Sequence, residues 1–251
     1  MTRLEVVKSF VSQQECDKAA FQNGFRRSHG ESEGWYHYTS TTAQGAIWLA
    51  LEAAGGWLIA MDHAGVITEI DLDASDVEGP GLARFCFDTL AELYEVMPRI
   101  YSLAVSLPDA PLQEYQRRTR GLPKTTEAER LVVQRIGQDI FRERLIDYWQ
   151  GRCPLTGITD LSLLKASHIK PWRDCDSDEE RLDVHNGLLL SALWDAAFDD
   201  RLLTFDKDGQ VKLSALISTE AKTCLGTADI RLPLTDRHQE YMKHHRKLFS
   251  G

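Results

Sequence analysis

Three segments constrain this chain more than any other feature: LLKASHI (residues 163–169), NGLLLS (186–191) and ALWDAAFDD (192–200). LLKASHI reads as a short strand that delivers His168 at its end. Asn186-Gly187 is a turn signal, and the leucine run behind it reads as a second strand. ALWDAAFDD reads as a helix. Two strands with a long loop between them, then a helix, form a ββα unit. Spacing alone leaves His168 open as a core residue, a metal ligand or a base.

On the expected helix, Asp195 and Asp199 are four apart, so both carboxylates fall on one face. Like charges there are destabilising unless solvent screens them or a cation sits between them. Two readings follow: a solvated acidic face, or hard oxygen ligands that suit magnesium or manganese. The apolar Trp194, Ala197 and Phe198 predict a partly buried helix, which leaves less room for free solvation.

Upstream, TTEAERLVVQRIGQDIFRERLIDYWQGR predicts a long helix. Thr126 with Glu129 fits a capping box. Leu131, Val132, Ile136, Ile140, Phe141, Leu145 and Tyr148 follow helical spacing, and Gly151 ends the run. The stretch before it, residues 107–130, holds three prolines and a glycine, with a basic cluster at Arg117, Arg118, Arg120 and Lys124. It reads as a domain boundary, either a solvated linker or a basic segment that touches phosphates.

The first half carries an α+β pattern. TTAQGAIWLALEAAGG predicts a helix stopped by Gly55 and Gly56. WLIAMD and VITEIDL are strand-like around His63-Ala64-Gly65, which predicts a hairpin. FDTLAELYEVMPRI predicts a helix and RIYSLAVSL another strand. Trp35, Tyr36, His37 and Tyr38 are an aromatic cluster, suited to core packing or to a pocket wall.

Charge separates the halves. Over all 251 residues the net charge is -9, which argues against a general nucleic-acid coat. Residues 1–115 hold 7 Lys+Arg against 17 Asp+Glu, whereas residues 116–251 hold 22 against 21. Only the second half approaches a polyanion without strong repulsion. The five cysteines are scattered with no CxxC pair, so neither a disulfide framework nor a four-cysteine zinc site is expected. No run of about 18 apolar residues predicts a membrane span. MTRLEVVKSF has no apolar signal core, which predicts a cytoplasmic protein.

The second half resembles the HNH endonuclease family in its ββα-metal form, and more closely a branch carrying SHI-P-W, NGLLL and D-x-x-F-D. The resemblance covers about residues 127–250, including GQDIFRERL, the CPLTG turn and the closing EYMKHHRKLF. Joined to the α+β pattern of the first half, it predicts an α+β chain: an N-terminal α+β domain (1–115), then, as the resemblance implies, a C-terminal HNH nuclease domain with flanking helices (116–251). It also implies a metal-dependent DNA endonuclease, restriction- or defence-related, with Mg2+ or Mn2+ as cofactor. By motif, His168 takes the place of the general base and Asn186 that of the middle residue steadying the loop. Asp195 takes the place of the last, metal-binding residue, with Asp199 one turn on. Lys170, Arg173 and Arg181 are candidate contacts to the nucleic-acid backbone, each also readable as a surface charge. Arg181 also has acidic neighbours in SDEERLD to pair with.

The chain departs from the family pattern at two places. Ser167 stands where many members carry an acidic or histidine ligand. Two zinc-binding CxxC pairs are replaced around Cys153, Thr156, Ser191 and Trp194, so no structural zinc is expected and an apolar core takes its place. His185, His244 and His245 are expected in turn, structural or surface roles. Duplex DNA is the expected partner, with a homodimer and a protein regulator of the N-terminal half as further expectations. That half is read as a target reader or a regulatory domain. The competing function is a catalytically degenerate HNH-fold module that binds nucleic acid or a partner protein.

Overall fold

The computed structural model describes residues 7, 9–226 and 230–249. Most of the N-terminal stretch read for a signal core therefore lies outside the described residues. Compactness divides the chain into Met1–Ala110 and Pro111–Gly251. The fold is α+β, with mixed helix and antiparallel sheet.

The first unit is a five-stranded antiparallel meander in sequence order: β1 (Arg27–Ser32), β2 (Trp35–Thr39), β3 (Ala46–Leu51), β4 (Trp57–Met61) and β5 (Ala83–Phe87). Helices α1 (Phe10–Gln22), α2 (Ala64–Glu69) and α3 (Leu90–Ser106) complete it. Tyr38, Ile47, Leu49, Ile59 and Phe85 share one face of the sheet and are buried. Trp35, Tyr36 and Tyr38 are core residues here.

Three expectations for this unit fail. Residues 46–51 form a central strand, not a helix. Its alanines and leucines favour helix locally, but pairing to β2 and β4 buries both faces, and tertiary context overrides propensity. Gly55 and Gly56 then close a hairpin: Glu52 N–H donates to the Gly56 carbonyl at 2.8 Å, and Gly55 takes φ +98°. VITEIDL contributes to a short helix, not a hairpin strand, because His63 caps it by accepting from Val66 N–H at 3.3 Å. RIYSLAVSL continues α3 through Pro98. Ile100, Leu103 and Ala104 repeat at helical spacing against the sheet, and that burial outweighs the proline's lost hydrogen bond.

The boundary between the units falls in the first turn of α4 (Asp109–Thr119). Residues 107–130 are thus partly helical where a linker was one reading. Helix α5 (Glu127–Tyr148) follows, and its capping box is present: Thr126 Oγ1 accepts from Glu129 N–H and the Glu129 carboxylate accepts from Thr126 N–H. Val133, Gly137, Ile140, Phe141, Leu145 and Tyr148 form its buried stripe, while Leu131 and Val132 are exposed. The apolar repeat was legible, but its first turn projects beyond the elements it packs on.

The ββα unit lies against that stripe. Strand β6 (Leu164–His168) pairs antiparallel with β7 (Gly187–Ser191), placing His168 opposite Gly187. The connecting loop holds α6 (Asp178–Leu182). Helix α7 (Ala192–Asp199) starts where β7 ends. A Cβ on Gly187 would come within 2.5 Å of Phe141 Cζ and 2.7 Å of Leu145 Cδ1, so only glycine lets α5 press this close to the strand. The hairpin β8 (Leu203–Phe205) and β9 (Val211–Leu213), helix α8 (Thr219–Leu225) and helix α9 (Asp236–Leu248) complete the unit. His245 of α9 anchors α7: Thr204 Oγ1 lies 2.9 Å from its Nδ1, its Nε2 donates to the Phe198 carbonyl at 3.0 Å, and its ring stacks on Phe198 at 3.9 Å. Cys153 and Trp194 are buried.

Candidate active site

The site begins with how the loop between β6 and β7 is held. Asn186 is fully buried. Its Oδ1 accepts from Lys170 N–H at 2.7 Å, while its Nδ2 donates to the carbonyls of Lys170 at 3.2 Å and Glu180 at 3.0 Å. One amide thus ties the start of the loop to its end. Asparagine suits this because it offers an acceptor and two donors from one planar group.

Arg181 and Lys170 serve the same loop. Arg181 donates to the carbonyls of Trp172 at 3.2 Å and Cys175 at 2.7 Å, and to Asp178 at 3.0 Å. Lys170 Nζ sits 2.9 Å from Asp176 and 2.7 Å from Glu180, which holds its ammonium well above the usual lysine range. These two expected backbone contacts are therefore committed inside the loop. Arg173 is exposed, with Asp174 3.6 Å away.

With the loop fixed, the Arg181 carbonyl faces His168, and His168 Nε2 lies 2.9 Å from that oxygen. A carbonyl only accepts, so Nε2 carries the hydrogen, and in the neutral ring Nδ1 keeps its lone pair. The imidazole stacks on Phe141 at 3.7 Å between centroids and meets the Trp172 ring edge-on at 5.6 Å. Burial pushes its pKa down to about 4, against a smaller upward effect of the Arg181 carbonyl. At neutral pH the ring is an uncharged, oriented proton acceptor.

The acidic face lies on α7. Asp195 Oδ1 accepts a short hydrogen bond from the hydroxyl of Ser167, which is buried on β6. Asp199 is pushed up to about 6, first by partial burial and then by the negative charges of Asp195 and Asp200. Among the described residues no three His, Cys, Asp or Glu side chains come together as a metal-holding group. The donors nonetheless fit a hard divalent ion. Magnesium is commonly held by one or two carboxylates plus water, and a cation would relieve the repulsion that raises Asp199.

The other histidines have structural partners. His185 is fully buried, and its N–H and Nδ1 lie 2.9 and 2.6 Å from Asp183 Oδ1. Asp183 Oδ2 accepts from Arg237 at 3.2 Å and Tyr241 at 3.0 Å, joining the ββα loop to α9. His244 Nε2 lies 3.7 Å from Asp174.

An oriented histidine ends the first strand, an asparagine clamps the loop after it, and two carboxylates sit on the following helix, one of them bonded to the residue before the histidine. Residues 153–206 match the HNH endonuclease family. The match lies inside the wider stretch whose motifs resemble that family, and it contains His168, Asn186, Asp195 and Asp199. No curated protein matches the chain. An HNH domain points to a nuclease and to nucleic acid as what it meets. The sequence reading missed the supports of this HNH site: Phe141 under the imidazole, the Arg181 carbonyl and the Ser167–Asp195 bond. Phe141 was visible only as one more apolar position of a helix, and a main-chain carbonyl carries no sequence signal. Among the described residues no helix is long and apolar enough to cross a membrane.

Proposed function

We propose that the C-terminal unit is a metal-dependent DNA endonuclease domain in which His168 is the general base. The observation that carries this reading is the His168 Nε2–Arg181 carbonyl bond, which leaves Nδ1 as the proton acceptor. In phosphodiester hydrolysis that nitrogen would take the proton of the attacking water. The resulting imidazolium would keep both N–H groups hydrogen-bonded, one of them to Arg181. A ring held at about 4 is a weak base in the free protein, but a bound phosphodiester anion favours its charged form and raises it toward neutrality. Asn186 positions the base indirectly, by holding the loop that carries the Arg181 carbonyl.

Asp195 and Asp199 are the residues that would hold Mg2+ or Mn2+. Such an ion supplies stabilisation of the charge that builds on the phosphoryl and leaving oxygens. A second reading, an HNH fold that binds DNA or a protein without cutting, is favoured by the Ser167 hydroxyl already bonded to Asp195.

Plasmid cleavage with magnesium or manganese separates the two readings, comparing wild type with His168→Ala on modified and unmodified DNA. Metal-dependent cleavage lost in the variant supports the nuclease. Tight binding with no cleavage under either metal supports the binding module. A preference for modified DNA would assign target reading to residues 1–110 in a restriction-type role; a nuclease needing a protein partner would make that unit regulatory.

A further inference from the structure

We infer that the C-terminal unit carries a second DNA-contact site, a recess that seats a backbone phosphate of the strand bound at His168. It rests on the reading that the HNH domain acts on DNA. The recess has a volume of about 220 Å³ and is lined by Tyr115 of α4, Lys124, Arg130 and Val133 around the start of α5, and Trp172 and Arg181 of the ββα loop.

Its charge is unbalanced. Asp178 also lines it, but that carboxylate pairs with Arg181 at 3.0 Å. The Lys124 and Arg130 side chains have no ion-pair or hydrogen-bond partner among the described residues, and both are exposed. Two cations thus face a recess whose one acid is already neutralised. Of the cations first expected to meet DNA, Lys170 and Arg181 are spent on internal pairs, and Arg173 is exposed with Asp174 3.6 Å away. The basic cluster read from the sequence is divided in the same way. Arg118 pairs with Glu114 at 2.6 Å, whereas Arg117, Arg120 and Lys124 stay unpaired among the described residues. Arg117 and Arg120 line a further recess of about 470 Å³ along the second half of α4 and its end.

The wall fits a sugar-phosphate. Tyr115, Val133 and Trp172 offer apolar surface for a deoxyribose beside the cations. Trp172 joins the recess to the proposed base, since the same indole meets the His168 ring edge-on. Gly137 permits this: a Cβ there would come within 2.5 Å of Trp172 Cη2. A strand with its scissile phosphate at His168 would then have the recess within reach across Trp172. The specific contact is electrostatic, so it carries affinity without sequence preference.

The test is duplex-DNA binding by the full chain in EDTA over a salt series. Lys124→Ala/Arg130→Ala is compared with wild type and with Lys222→Ala, which removes an exposed charge on α8. The double variant is expected to bind about tenfold more weakly at low salt, with a slope of log K against log salt smaller by about 1. Exchanging the cations, Lys124→Arg/Arg130→Lys, is expected to restore most of the affinity. A double variant whose affinity and slope match those of Lys222→Ala overturns the recess, while metal-dependent cleavage by wild type would leave the nuclease reading standing. Weakened binding with no wild-type cleavage keeps the recess and favours the binding-module reading of the domain. Absence of DNA binding by wild type overturns both.

Discussion

Nε2 of His168 lies 2.9 Å from the main-chain carbonyl oxygen of Arg181, so the loop between β6 and β7 decides which ring nitrogen holds the proton. The side chain of Arg181 is turned back onto that loop, and its backbone makes the contact to the histidine. A residue expected to meet substrate through its charge thus meets His168 through its carbonyl.

The titration of His168 follows from this burial. Its pKa is pushed down to about 4 from 6.5, so between those values the unfolded chain takes up a proton that the folded chain does not. The stabilising contribution is complete above pH 6.5 and is lost as pH falls toward 4, by up to ~3 kcal/mol. In the DNA-free protein, NMR should find the His168 ring signals unmoved between pH 7.5 and 5. A midpoint near 6.5 would contradict the buried, neutral ring. His168→Phe, which keeps an aromatic ring against Phe141, should flatten the fall of stability over the same window.

Replacing Asn186 by alanine leaves the Lys170 N–H and the carbonyls of Lys170 and Glu180 without their partner in a fully buried position. The expected loss is about 3 kcal/mol, since each unmet buried group costs about 1–3 kcal/mol and the loop relaxes in part. Urea denaturation measures it. DNA cleavage should fall by more than the folded fraction does, because the Arg181 carbonyl is freed. Activity that merely follows the folded fraction would assign Asn186 to stability alone.

Gly137→Ala sets two effects against each other. Alanine gains about 1 kcal/mol of helix propensity over glycine in α5. Its Cβ would meet Trp172 Cη2 at 2.5 Å, and overpacking of this kind costs about 1–3 kcal/mol. The steric term wins, so the variant should be less stable by about 1 kcal/mol, with altered tryptophan fluorescence. A gain in stability with unchanged fluorescence would show that Trp172 yields without cost.

If Asp195 and Asp199 hold a divalent ion as proposed, it would bind only the folded chain and stabilise it by mass action, by about 1–3 kcal/mol at saturating concentration. Adding magnesium or manganese to metal-free protein should raise the thermal midpoint, and EDTA should reverse the change. Asp199→Asn should abolish the rise. A rise that persists in that variant would place the ion elsewhere.

Asp183 accepts from His185, Arg237 and Tyr241 while almost wholly buried. Its bonds to His185 and the nearby charges hold its pKa below the usual carboxylate value, outweighing burial. That contribution is present at neutral pH and lost only as pH falls below about 4. Asp183→Asn should therefore be less stable at pH 7 and lose less on acidification, as seen in paired urea titrations at pH 7 and pH 3. Parallel losses at both values would remove the carboxylate from the acid response.

The ββα unit and the helix before it were legible because their signals are local. Leucine runs, the Asn186-Gly187 turn, the Thr126–Glu129 capping box and the i,i+4 aspartates each act within a few residues. The first unit was less legible for the opposite reason. Residues 46–51 have a composition that suits helix, and only cross-strand partners at 36–39 and 57–61 make them a strand. Pro98 looked like a helix end, yet helical burial continues past it.

The sequence by itself determined the family match of the second half and its candidate residues, because the types and spacings of His168, Asn186, Asp195 and Asp199 are set along the chain. Tertiary structure alone decided what those residues are able to do. It placed Phe141 under the imidazole, bonded Ser167 to Asp195, and turned Lys170 and Arg181 inward while leaving Lys124 and Arg130 unpaired among the described residues. The physical reason is that protonation state and free charge depend on partners within a few ångströms, and folding chooses those partners from residues distant in sequence.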